Sequence, residues 1–174
     1  MDYVIVEKSF PLEKASCVPS ALLEEMLSAI QDNLPANKVT PELIFRSKYI
    51  LTELITNALK HANSNEAFLH LQISEQLVRF IKTDDGNKLS IPAKYDEYKA
   101  GYIVTNDIMH TLYAVDKEDR MFFYCHENNE PILDIVNDFP EHFGLLIITK
   151  ASDEFYYEHQ PSINLNTFSV TINL

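Results

Sequence analysis

Glu53, Asn57, Lys60 and His61 carry the chemistry that stands out first in this chain. On a helical wheel all four fall within about a quarter-turn of one another, while Leu51, Leu54, Ile55, Ala58, Leu59 and Ala62 gather on the opposite side. A carboxylate, a carboxamide, an ammonium and an imidazole on one face are able to activate a hydroxyl, ligate a hard cation and contact phosphate oxygens. Taken alone, such a face is more often the solvated side of an ordinary amphipathic helix. The residues around it decide between the two readings.

The spacing Glu53-x-x-x-Asn57-x-x-Lys60-His61 resembles the nucleotide-binding helix of the GHKL superfamily. That group takes in gyrase-type ATPases, a heat-shock chaperone, histidine kinases and mismatch-repair ATPases. The resemblance implies that Asn57 supplies an oxygen to a magnesium ion on the ATP phosphates, that Glu53 is the base, and that Lys60 and His61 contact phosphate. A second matching stretch is Thr83-Asp84-Asp85-Gly86, where the family ends a strand in Asp-x-Gly-x-Gly. By resemblance Asp84 accepts a hydrogen bond from the adenine amino group and Gly86 lets the backbone approach the base. The second glycine of that pattern is replaced by Lys88. Further on, Gly144-Leu145 matches the family's Gly-x-Gly-Leu, with His142 standing where the first glycine belongs. The order helix, Ser152-Asp153-Glu154, strand, strand at 145–172 is similar to the anti-sigma-factor serine kinases. By that likeness Thr167 helps to hold the adenine-side Asp.

The bulk composition sets outer bounds. With 26 acidic against 14 basic residues the net charge is −12, which repels nucleic-acid backbones and requires a nucleotide to arrive with magnesium. The chain holds only three glycines, so glycine-rich phosphate loops are scarce. Cys17 and Cys125 have neither metal-ligand nor framework spacing, and His70, His110, His126 and His159 show no zinc pattern. No apolar run reaches the roughly 18 residues of a membrane span, and the first residues lack a basic-then-apolar signal pattern. These features give the expectation of a cytoplasmic protein that binds neither membrane nor nucleic acid.

The elements that must position these residues are legible from periodicity. Residues 2–9 alternate as a strand ending at Pro11, placed at a sheet edge, and 20–34 read as a packing helix. Thr40-Pro41-Glu42 is a helix start, so the motif helix runs from about 41 to 62. A hairpin of strands at 67–73 and 77–82 follows around Ser74-Glu75-Gln76, and strands at 155–158 and 167–172 finish the chain. The segment 88–142 occupies the place of the family's nucleotide lid. It carries Tyr95, Tyr98 and Tyr102, a hairpin at 111–125, a helical turn at 131–136 and Gly101 as its one glycine. It reads as an ordered core layer or an aromatic partner platform rather than a hinged lid.

The fold expected is therefore one α/β sandwich domain over 1–174, with a mixed, mostly antiparallel sheet and helices packed on one face. The resemblance implies an ATP-binding regulatory protein using ATP and Mg²⁺. In its active form it would be a serine-protein kinase acting on a partner protein in a partner-switching pathway, with a second copy of the chain as a further candidate partner. The alternative is a GHKL-fold interaction module without ATP turnover.

Overall fold

A computed structural model describes residues 6–12, 18–60, 66–91, 94–97, 99–128 and 142–174. In chain order the elements are β1 (Val6–Pro11), α1 (Ser20–Asn33), α2 (Pro41–Lys60), β2 (Ala67–Ile73), β3 (Leu77–Asp84), β4 (Tyr95–Asp96), β5 (Gly101–Asn106), β6 (His110–Lys117), β7 (Arg120–Glu127), α3 (Phe143–Ala151), β8 (Glu154–Gln160) and β9 (Leu165–Asn173). Residues 2–5 of the expected first strand, Tyr98 and the expected turn at 131–136 lie outside the described residues.

Helix α2 starts where its cap dictates. The Leu43 N–H donates to Thr40 Oγ1 at 3.0 Å, and Pro41 follows at the first helical position, where a missing N–H costs nothing. Its apolar stripe, Leu43, Ile50, Leu51, Leu54, Ile55 and Ala58, is buried. Each large member contributes about 1.5–3 kcal/mol through burial. The β2–β3 hairpin turns on Ser74, whose Oγ accepts the N–H groups of Gln76 and Leu77 at 3.2 and 3.1 Å.

Among the described residues, nine strands form one sheet in the order β1-β2-β3-β9-β8-β7-β6-β5-β4. Every ladder is antiparallel, so the parallel component of the expected mixed sheet is not found among these strands. The connections explain this: α1 and α2 link two antiparallel neighbours, β1 and β2, and α3 links β7 to its antiparallel neighbour β8. β1 is an edge strand, as its sequence suggests.

The alternation of the strands puts Leu69, Leu71, Val78, Phe80, Leu112, Phe123, Phe155 and Val170 into a single core with the buried faces of α1, α2 and α3. Helices thus cover one face of the sheet. The segment at 88–142 continues that sheet through β4 to β7 rather than standing apart from it. Gly101 opens β5 pressed against β6: a Cβ there would lie 3.0 Å from Val115 Cγ2 and 3.1 Å from the Ala114 carbonyl oxygen. It is a close-packing position, not a hinge.

Candidate functional site

On β3 the helix-facing positions run Val78, Phe80, Lys82, Asp84, so the core stripe changes from apolar to charged within one strand. Register places Lys82 opposite Phe168 and Asp84 opposite Asn166 of β9. Lys82 is only 5% exposed. Its Nζ lies 2.5 Å from Asp84 Oδ2 and sits over the Phe168 ring, 4.6 Å from the centroid. Removing an ammonium from water costs several kcal/mol, and the carboxylate and ring face offset that cost.

Asn166 ties this pair to the loop after β3. Its Nδ2 donates to Asp84 Oδ1 and to the Gly86 carbonyl, both at 3.0 Å, and to the Asn87 carbonyl at 3.3 Å. Its Oδ1 accepts the Tyr157 hydroxyl at 2.6 Å and His159 Nδ1 at 3.0 Å. An amide oxygen only accepts, so His159 carries its hydrogen on Nδ1. The Gly86 N–H closes onto Asp84 Oδ1 at 2.9 Å, and the Leu89 N–H donates to the Tyr157 oxygen at 3.0 Å. Burial pushes the Tyr157 phenol above its ordinary pKa, and the Asp84 charge adds to this against the Leu89 N–H.

Asn57 and Lys60 of α2, Lys82 and Asp84 of β3, and His142 and Leu145 at the start of α3 surround a cavity of about 300 Å³. The loop residues Asn87, Lys88, Leu89 and Ser90 and, from β9, Asn166 and Phe168 complete it. This volume is at the lower end of small-molecule sites. Its lining holds three lysines and one aspartate, a local cationic excess in a chain of net charge −12.

Helix α3 meets α2 at a glycine. A Cβ on Gly144 would lie 2.6 Å from Glu53 Oε2 and 3.4 Å from Asn57 Oδ1. The first turn of α3 therefore rests directly on the Glu53 and Asn57 face. His142, the N-cap residue, makes no side-chain cap hydrogen bond, and the first N–H groups of the helix leave partial positive charge beside the Glu53 carboxylate.

Of the residues singled out in the sequence, Asn57, Lys60 and Asp84 share the cavity, and Gly86 is buried in the loop beside it. Lys88 and His142, which replace the two motif glycines, also line it. Glu53 and Gly144 meet at the adjoining helix junction. Thr167 is different: it pairs with Thr83, and because Asn166 and Phe168 face the cavity, alternation puts Thr167 on the opposite face of the sheet. The contact to Asp84 expected of Thr167 is made by Asn166. His61 lies outside the described residues. Sequence reasoning missed Lys82, Tyr157 and Phe168. The available signal was a lysine in step with Val78 and Phe80, on the buried period of its strand.

Among the described residues no group of three or more His, Cys, Asp or Glu side chains is placed to hold a metal. Burial pushes the Cys125 thiol up despite the nearby Lys150, which leaves it a poor nucleophile. Also among the described residues, no helix is long and apolar enough to cross a membrane.

No family model matches this chain, and no curated protein matches it.

Proposed function

We propose that this chain is an ATP-binding regulatory protein of the GHKL type, in which binding of the nucleotide, rather than its hydrolysis, is the signal. The observation that supports this best is the meeting of Asn57, Lys60, Asp84 and His142 around one cavity, although they come from α2, β3 and the start of α3. Lys60, Lys88 and His142 would contact the phosphates against the acidic field of the whole chain, and Asn57 would hold the magnesium ion through its carbonyl oxygen. The ion supplies neutralisation of the phosphate charge.

The donor set fits the base with one restriction. A carboxylate offers about four lone-pair sites. Gly86 N–H and Asn166 Nδ2 take those of Asp84 Oδ1, and Lys82 takes one on Oδ2. Among the described residues, one site on Oδ2 is left for a base amino group.

Output would pass through α2 and α3. Phe143, next to Gly144, is 45% exposed, and Phe45 and Tyr49 of α2 are 60% and 44% exposed with ring centroids 4.5 Å apart. A shallow apolar groove joins the three, a surface suited to a partner protein. In the kinase form of this reading, Glu53 would polarise a partner's serine hydroxyl. Its position against Gly144, outside the cavity lining, favours a positioning role instead.

Calorimetric titration with ATP, with and without magnesium, tests the proposal. Magnesium-dependent binding that weakens about tenfold or more in Asn57→Ala is expected. No binding at millimolar ATP overturns it and leaves the interaction module, to be tested by partner capture with and without nucleotide. Full phosphoryl transfer to a partner that is lost in Glu53→Gln would restore the catalytic role of Glu53.

A further inference from the structure

Lys82 is a charged group of the cavity for which the resemblance offers no role. Its ammonium is buried, lies on the Phe168 ring and touches Asp84 Oδ2, and both partners line the cavity. Side by side they present a hydrogen-bond donor and, among the described residues, one remaining acceptor site, since Gly86 and Asn166 fill Oδ1 and Lys82 takes one site on Oδ2.

Resting on the nucleotide reading above, we infer that Lys82 is a base-specificity residue, donating to adenine N1 while Asp84 Oδ2 accepts from the adjacent exocyclic amino group. Adenine offers one ring acceptor beside one amino donor, which matches this pair. Guanine placed in adenine's orientation sets its O6 acceptor against the Asp84 carboxylate and its N1–H donor against the Lys82 ammonium, so neither group is paired. The ring of Phe168 and the Asn166 clamp hold the ammonium and the carboxylate in place, so the pair is set before the ligand enters.

The test is a comparison of ATP, GTP and 1-deaza-ATP, which lacks the N1 acceptor, on the wild-type protein and on Lys82→Met. On the wild type, 1-deaza-ATP is expected to bind about tenfold or more weakly than ATP, the loss of one charge-assisted hydrogen bond, and GTP more weakly than ATP. In Lys82→Met the difference between ATP and 1-deaza-ATP disappears. Equal binding of ATP and 1-deaza-ATP to the wild type overturns this inference and leaves the nucleotide site standing. Absence of binding by every nucleotide overturns both. The wild-type comparison decides the matter even where Lys82→Met fails to fold.

Discussion

At the β3–β9 end of the cavity, Lys82, Asp84 and Asn166 are almost wholly buried and joined by hydrogen bonds to Tyr157, His159 and the loop at 86–89. At the α2–α3 end, Glu53, Asn57 and Gly144 are brought together by close approach of two helices, with Glu53 and Asn57 half-buried and Lys60 exposed. The first end is fixed by specific polar pairing and the second by the absence of one side chain. A rigid end suits recognition of a ligand's shape and edge, whereas an end that depends on helix packing suits a response transmitted to the surface at Phe143.

If that contrast is right, damage to the polar end costs more stability than damage to the helix junction. The largest effect is expected for Asp84→Ala, which leaves the buried Lys82 ammonium without its carboxylate. About 3–5 kcal/mol of folding stability should be lost in a denaturant titration. A loss below about 1 kcal/mol would mean that the ammonium reaches water and the end is not rigid.

Asn166→Ala comes next, at about 3 kcal/mol, because it removes bonds to Asp84 and Gly86 and leaves the Tyr157 hydroxyl without its acceptor. Its cost and that of Asp84→Ala should add to more than the double variant loses, since the two residues share a hydrogen bond.

Tyr157→Phe is smaller, about 1 kcal/mol at neutral pH. It also sharpens the picture through pH. Burial holds the Tyr157 phenol above its ordinary value of 10.0, so folding favours the protonated form. That stabilisation is present in full below the unfolded-state value and is lost as pH rises through the raised folded value. Alkaline melting curves of the wild type should therefore fall more steeply than those of Tyr157→Phe.

The smallest effect is expected at the helix junction. Gly144→Ala should stay within about 1 kcal/mol of wild type, because the gain in helix propensity offsets the swing of the Glu53 carboxylate away from the new Cβ. Adding Glu53→Ala to Gly144→Ala should raise the melting temperature above that of Gly144→Ala alone. A large loss in Gly144→Ala that Glu53→Ala does not relieve would place the constraint in the backbone instead.

Much of the architecture is readable from local chemistry. The Thr40 hydroxyl caps α2 as the Thr-Pro-Glu start implies, and Ser74 closes the hairpin whose strands alternate on either side. β5 is harder to read because a register irregularity between Ile103 and Thr105 breaks its alternation against β6. β4 spans only Tyr95–Asp96, too short for any period to register.

The site divides in the same way. Asn57 and Lys60 belong to a helical spacing, and Asp84 closes a strand, so both are visible locally. Asn166 meets Asp84 across 82 positions of chain, and only the pairing of β3 with β9 brings them together. The choice between Asn166 and Thr167 is a matter of one residue in register, which exchanges the two faces of a strand. Lys82 is set in the same frame: its buried partner lies on its own strand, but the ring beneath it comes from β9.

The central claim, one nucleotide site shared by α2, β3 and the start of α3, is tested most directly by a crystal structure of the protein with magnesium and a non-hydrolysable ATP analogue. The account predicts the adenine edge against Lys82 and Asp84 and the metal on Asn57 Oδ1. An analogue bound elsewhere, with this cavity unchanged and empty at saturating ligand, would contradict it.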